Sequence, residues 1–224
     1  MAIILHIDTA VETASVCLSG NGEILGLSVN ENQKDHASWL HNAMRVLVKD
    51  AGFTLKDLEA VAVSIGPGSY TGLRVGLSAA KGLCFALNIP LIPVGTLEMM
   101  AHSIKNEATD LICPLVDARR MEVFTAVYNK SLIEIIKPCT MIIDTDSFSE
   151  VLSLHKIIFL GNGSKKLQTI LSNNNAEFSF KRATAADMAP LADTLFRGKK
   201  FADLAYTEPF YIKEFYSPAH LLSK

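Results

Sequence analysis

The chain has 224 residues and a net charge of −2 at pH 7, with 49% hydrophobic and 20% charged residues. This length can bury a substantial core, either in one large domain or in two small ones. Lysine and arginine are scattered along the chain without a basic stripe, so we expect no strong nucleic-acid binding by this chain alone.

The first half of the chain is predicted to begin with three strands and to continue with alternating helices and strands. Short turns separate the first three strands, which predicts an antiparallel start. The predicted strands cover residues 3–8, 13–18, 23–29, 59–65 and 91–94, and the predicted helices cover 36–51, 71–87 and 96–105. The N-terminal segment has neither a basic region nor a cleavage site, so we expect a cytoplasmic chain without a membrane anchor.

The second half repeats this plan. Strands are predicted over residues 111–116, 121–128 and 131–136, followed by helical or extended segments over 147–154, 156–160, 165–171, 178–180 and 184–196. Such internal repetition indicates a duplicated α/β fold of the ribonuclease-H-like type, with a mixed sheet in each half. We therefore predict an N-terminal half over residues 1–105 and a C-terminal half over 106–224. The four cysteines have no Cys-x-x-Cys spacing, which argues against a disulfide or zinc framework.

A glycine-rich turn joins the strand at 59–65 to the helix at 71–87. Gly66 and Gly68 allow a tight turn, and with Ser69 they resemble a phosphate-binding cradle at a helix N-terminus. The spacing is not that of a P-loop, and no lysine follows the glycines. As a sign of an anion site the turn is therefore weak.

The helix that follows the turn carries small residues on one face. Gly72, Gly76 and Ala80 are four residues apart and so share that face. A face of small residues lets another backbone approach closely. It can serve either close packing on the chain's own sheet or contact with a helix of another subunit.

Carboxylates end the first strand of each half. Asp8 with Thr9, and Asp117 in the second half, could hold magnesium and a phosphate, or could instead cap turns through local hydrogen bonds. No third carboxylate stands at an obvious companion position, which favours the capping role. His36 and His41 fall on different helix faces, which argues against a shared metal ion.

Several motifs, taken in chain order, resemble those of the TsaB (YeaZ) family. The segments that carry the resemblance are residues 8–9, 15–16, 66–76, 80–83, 93–98, 116–123 and 208–213. The resemblance implies the duplicated actin/Hsp70-like ATPase fold. It also implies a non-catalytic subunit that binds and activates TsaD, which transfers a threonylcarbamoyl group to adenosine 37 of tRNA.

The resemblance also bears on catalysis. TsaD carries an HxxxH metal-binding pair in the segment similar to residues 93–100, and the two histidine positions fall on Thr96 and Met100 here. Neither side chain can replace an imidazole, so we expect no metal, no cofactor and no enzymatic activity. The alternative is an independent ATP-binding enzyme of the same superfamily. In either case a vestige of a nucleotide or phosphate site would consist of Asp8, Thr9, Gly66, Gly68 and Ser69.

The partners implied by the resemblance are TsaD, through the first two helices, and TsaE in a larger complex. Without TsaD, a homodimer would form through the same surface. The residues expected to bind the partner are Leu40, Met44, Gly72, Leu73, Gly76 and Ala80.

Overall fold

A computed structural model of the chain describes residues 1–32 and 35–212, with the side chain of His36 left out. The first sheet has the spatial strand order β3-β2-β1-β4-β5. Its strands are β1 (Ile3–Asp8), β2 (Ala14–Gly20), β3 (Glu23–Asn30), β4 (Ala60–Gly66) and β5 (Leu91–Gly95). The helices of this part are α1 (His36–Asp50), α2 (Tyr70–Leu87) and α3 (Thr96–Ile104), with a short 3-10 helix at Leu55–Asp57.

The second sheet has the order β10-β9-β6-β7-β8. Its strands are β6 (Leu111–Asp117), β7 (Glu122–Asn129), β8 (Glu134–Ile142), β9 (Ile157–Leu160) and β10 (Ala176–Phe178). The helices here are α4 (Ser149–Leu154), α5 (Ser164–Gln168) and α6 (Ala189–Arg197), with a 3-10 helix at Ala185–Met188 before α6.

The two sheets have the same topology. In the first sheet, β1 pairs antiparallel with β2 and parallel with β4, and the outer pairs are β2–β3 and β4–β5. In the second sheet, β6 through β10 repeat these pairings in the same order and directions. The predicted duplicated α/β fold with two mixed sheets is therefore confirmed. The boundary between residues 105 and 106 stays a prediction.

The first sheet is covered on both faces. Alternate residues of β1, such as Leu5 and Ile7, face α1 and α2, and Leu40 of α1 joins the same core. Ile4, on the opposite face, packs in a second core with Met188 and other residues from the end of the chain. Residues 185–197 thus return to the first sheet, although they follow the last strand of the second.

Strand β8 differs most from its prediction. The sequence predicts a strand over residues 131–136, whereas β8 continues to Ile142 through Pro138. Since β8 lies at the edge of its sheet, the missing N–H of proline removes no bond to a further strand. Lys137 and Pro138 lie opposite the single residue Ala126, as in a β-bulge, which accommodates the proline.

Candidate functional site

The glycine-rich turn between β4 and α2 is held against the connection that follows β1. Ser69 N donates a hydrogen bond to Ala10 O at 2.7 Å. A Cβ atom at Gly68 would lie 2.3 Å from the same oxygen, so only glycine permits this approach. Gly66 has a φ of +123°, and a Cβ there would lie 2.6 Å from Phe210 O. Contacts within the chain therefore account for both glycines. The phosphate cradle stays a prediction.

Asp8 and Thr9 at the end of β1 are fully buried. Asp8 Oδ1 accepts hydrogen bonds from Ser64 Oγ at 2.6 Å and from Ala10 N at 3.1 Å, whereas Asp8 Oδ2 has no partner among the described residues. Burial raises the pKa of Asp8 above its ordinary value of 3.8, although the two hydrogen bonds oppose this shift. Thr9 Oγ1 donates to Gly72 O at 2.7 Å. Both side chains thus face the interior rather than an open cleft.

The equivalent carboxylate of the second half, Asp117 at the end of β6, lies at the surface. Its Oδ1 accepts hydrogen bonds from Lys166 Nζ at 2.7 Å and from Arg119 N at 2.6 Å. Asp8 and Asp117 therefore occupy equivalent positions in very different surroundings. Over residues 1–32 and 35–212, no group of three or more His, Cys, Asp or Glu side chains is arranged to hold a metal ion.

The small-residue face of α2 packs on the chain's own first sheet. A Cβ at Gly72 would lie 2.0 Å from Thr9 O, and one at Gly76 would lie 2.3 Å from Thr9 Oγ1. Ala80 is also fully buried. The other three residues expected to bind a partner, Leu40, Met44 and Leu73, are buried as well. The interpretation of this face as a docking surface is therefore corrected, because the helix turns it inward to approach β1.

The outward faces of α1 and α2 form a different surface. Between the two helices lies an open groove with a volume of about 590 Å³. Most of the side chains along it are small or short. The residues that line it are Ala37, His41, Tyr70, Thr71, Arg74, Val75, Ser78 and Ala79. We call this surface the α1–α2 groove. It has room for the side chains of another helix.

Arg74 is held in place on the α2 side of this groove. Arg74 Nε donates a hydrogen bond to Tyr211 Oη at 3.0 Å, and its guanidinium carbon lies 4.0 Å from the centre of the Tyr70 ring. The rings of Tyr70 and Tyr211 are 5.2 Å apart. Two tyrosines thus fix the guanidinium group by a hydrogen bond and a cation–π contact.

Tyr211 reaches Arg74 and Tyr70 because the end of the described chain runs along α2. We call residues 203–212 the C-terminal strap. Lys81 Nζ of α2 donates to the carbonyl oxygens of Ala205 and Thr207, both at 3.2 Å, and Phe210 N donates to Ile65 O at 2.7 Å. The family motifs contain both Arg74 and Tyr211, but their contact was not predicted from the sequence. Two adjacent aromatic residues near the end of the strap were the one sequence signal that it packs against the rest of the chain.

A second cavity, of about 120 Å³, lies among the β1–β2 connection, α3 and α5. Thr96 and Met100, which take the positions of the two TsaD histidines, both line it. Thr96 Oγ1 is buried and has no hydrogen-bond partner within the described part of the chain. His102, on the same helix α3, is half-buried, and burial lowers its pKa. The remaining lining residues are Val11, Glu12, Thr13, Met99, Gly161, Asn162, Ser164, Lys165, Ser179, Phe180, Lys181, Arg182 and Ala183.

The histidines are dispersed. His41 is exposed on the α1–α2 groove, and His155 Nδ1 lies 2.6 Å from Asp110 Oδ2 at a distant surface. The side chain of His36 lies outside the described atoms, and Lys213 of the last family motif lies outside the described residues.

Of the helices that the structure describes, none combines the length and apolar character needed to cross a membrane.

The sequence of this chain is similar to known families and relatives. It matches, over residues 23–212, the model of the family described as TsaD, tRNA N6-adenosine threonylcarbamoyltransferase. The tRNA threonylcarbamoyladenosine biosynthesis protein TsaB of Bacillus subtilis (strain 168) is 28% identical over 215 residues, which cover 94% of this chain and 93% of that protein. The protein of the same name from Escherichia coli (strain K12) is 36% identical over 129 residues, or 57% of this chain and 55% of the relative.

Among solved structures, a Pseudomonas aeruginosa protein described as uncharacterized, with similarity to peptidase YEAZ, superposes with a TM-score of 0.84. It is 23% identical, and the match covers 95% of this chain and 100% of the other. YeaZ from the same organism superposes with a TM-score of 0.78 at 23% identity, covering 94% and 100% of the two chains. These two likenesses establish the fold over nearly the whole chain.

Proposed function

The chain belongs to the TsaB (YeaZ) family, within the threonylcarbamoyltransferase family whose model it matches, and we propose that it binds and activates TsaD. In this role it is a non-catalytic subunit in the transfer of a threonylcarbamoyl group to adenosine 37 of tRNA. The names of the bacterial relatives support a role in threonylcarbamoyladenosine biosynthesis. The observation that carries the proposal is the exposed α1–α2 groove.

The groove suits a helical partner for a physical reason. Its lining offers short side chains such as Ala37, Thr71 and Ser78, so the backbone of a partner helix can approach closely. Both helices are long and well supported, because their inner faces join the core of the first sheet. The equivalent helices of the second half, α4 and α5, have only 6 and 5 residues. A docking role for α1 and α2 accounts for this difference in length.

A non-catalytic role is favoured by the cavity beside α3. Thr96 and Met100 line this cavity. They take the two positions at which TsaD is expected to carry its metal-binding histidines. A hydroxyl and a thioether are poor substitutes for two imidazoles as metal ligands. The threonylcarbamoyl transfer is therefore assigned to TsaD, and this chain contributes the contact that activates it.

Filling the groove is expected to abolish the contact. Ser78 is exposed in the middle of α2 and lines the groove, so the indole of Ser78→Trp would occupy the space of a partner side chain without disturbing the core. We expect the dissociation constant for TsaD to rise by about a hundredfold or more. Size-exclusion chromatography with purified TsaD, and the stimulation of threonylcarbamoyl transfer, measure the loss.

The matched control is Ser153→Trp, at an exposed serine of α4. It makes the same chemical change on a helix outside the groove and is expected to leave TsaD binding unchanged. Co-elution of the Ser78→Trp chain with TsaD at wild-type affinity would contradict the assignment of the groove.

The alternative, an independent ATP-binding enzyme, needs Asp8 and Thr9 in an open cleft. Because both side chains are buried and bonded within the chain, we expect calorimetry of this chain alone with ATP and magnesium to give no measurable binding heat. Stoichiometric binding with turnover by the isolated chain would replace our proposal by the alternative.

The resemblance to the TsaB (YeaZ) family also suggests further partners and a location for this chain. We propose that TsaE joins the TsaD-bound form in a larger complex, and that two copies of this chain pair through the α1–α2 groove when TsaD is absent. We also propose a cytoplasmic location, where the tRNA substrate is found, and a division into halves at residues 105 and 106. No cofactor is assigned to the chain.

A further inference from the structure

Among the described residues that line the α1–α2 groove, one carries a permanent positive charge and none is a carboxylate. That charge is the exposed guanidinium group of Arg74. Its contacts are with two tyrosines, and within residues 1–32 and 35–212 no carboxylate forms an ion pair with it. The groove thus presents a cation that no carboxylate among the described residues neutralises.

The surroundings of the groove reinforce this charge. In α1, its N-cap residue and α2, four lysines and arginines stand against two carboxylates, Asp35 and Asp50, which lie at the two ends of α1. The C-terminal strap adds two exposed carboxylates, Asp203 and Glu208, and neither of them forms an ion pair with Arg74. The cations of the two helices are Arg45, Lys49, Arg74 and Lys81. By contrast, the whole chain is acidic, with a net charge of −2.

Arg74 is also oriented before any partner arrives. The hydrogen bond from Arg74 Nε to Tyr211 Oη and the contact with the Tyr70 ring restrict the side chain. An arginine ordered in advance loses little conformational entropy when it binds, and its remaining N–H groups match the two oxygens of a carboxylate. Such a group favours an acidic side chain on the docking helix.

We propose that the α1–α2 groove takes a partner helix that carries a carboxylate opposite Arg74, and that the same charge discriminates against a second copy of this chain. The inference rests on the proposed function and names the chemistry of that contact. In a two-fold homodimer both copies present the same patch, so the interface would contain two Arg74 side chains and no carboxylate from either groove lining. Like charges oppose that pairing, while an acidic helix is attracted.

The test is the substitution Arg74→Gln, which removes the charge and keeps a polar side chain. Binding to TsaD is expected to weaken by about tenfold or more, because the partner carboxylate loses its cation. Self-association is expected to become tighter, because repulsion between the two copies is gone. Sedimentation velocity of the full-length chain, alone and with TsaD, measures both constants. Lys130→Gln, at an exposed lysine between β7 and β8, is the matched control and is expected to change neither.

Salt provides a second readout on the unmodified chain. Raising NaCl from about 50 mM to about 500 mM is expected to weaken the complex with TsaD and to strengthen self-association, since screening reduces both the attraction and the repulsion. A purely structural role of Arg74 would weaken both associations in the variant. The inference is overturned if Arg74→Gln leaves self-association unchanged or weaker, or binds TsaD like the control. If even the wild-type chain fails to bind TsaD, the proposed function is wrong instead.

Discussion

Replacing Gly72 with alanine is expected to lower the free energy of unfolding by about 3 kcal/mol, at the upper end of the usual cost of overpacking. The added Cβ would lie 2.0 Å from the backbone oxygen of Thr9, far inside van der Waals contact. Backbone atoms cannot rotate aside as the end of a side chain can, so α2 would have to move away from β1. That movement would also break the hydrogen bond from Thr9 Oγ1 to Gly72 O, which is 2.7 Å long. Urea denaturation followed by circular dichroism measures the loss.

The same helix offers a control with the opposite sign. Gly82 lies on the exposed side of α2, and a Cβ there would meet nothing within 4 Å. Gly82→Ala is therefore expected to raise the free energy of unfolding by about 1 kcal/mol, the difference in helix propensity between the two residues. If both alanine substitutions stabilise the chain, then Gly72 is not required by the approach of α2 to β1.

The position of Gly72 illustrates what spacing in a sequence can establish. Residues four apart share a helix face, and small residues indicate that something lies close to that face. The spacing carries no information on whether the neighbour is the chain's own strand or another subunit. Only the burial of Gly72 and Gly76 against Thr9, the residue directly after β1, decides in favour of the chain's own first sheet. The surface available to a partner then lies on the opposite side of the same helix.

Other features of the chain also separate into those that the sequence predicts and those that depend on tertiary packing. The duplication was predictable because hydrophobic patterns and strand-end carboxylates repeat, and Asp8 and Asp117 do end equivalent strands. Their environments were not predictable, since burial depends on which loops pack above each strand end. The contact between Arg74 and Tyr211 joins residues 137 positions apart, so no local pattern could indicate it. The strap that creates this contact follows from tertiary packing.

The buried carboxylate leads to a pH-dependent prediction for Asp8→Asn. Burial raises the pKa of Asp8 in the folded chain above the ordinary value of 3.8 that applies after unfolding. The folded state therefore binds a proton more tightly than the unfolded state, and wild-type stability falls as the pH rises from about 4 through the folded-state pKa. Asparagine cannot ionise, so the variant should gain on the wild type across this window. The gain is about 1.4 kcal/mol for each pH unit that separates the folded-state pKa from the ordinary one. Urea denaturation at a series of pH values measures the difference.

The hydrogen bonds around Asp8 determine how stable the Asp8→Asn variant is relative to the wild type at acidic pH, where Asp8 is protonated. The amide oxygen of the introduced asparagine could still accept the hydrogen bonds from Ser64 Oγ and Ala10 N, while its NH₂ group would replace Asp8 Oδ2, which has no partner in the described chain. Below the folded-state pKa, Asp8 is protonated, and its O–H on Oδ2 also has no partner among the described residues. The NH₂ group of asparagine leaves two unpaired N–H donors in place of this one O–H, so the variant is expected to be slightly less stable than the wild type at acidic pH. A constant difference between Asp8→Asn and wild type at every pH would contradict a buried, ionisable Asp8. A gain at neutral pH together with full stimulation of TsaD would support a structural role for this carboxylate, because a magnesium-binding aspartate could not be replaced without loss of activity.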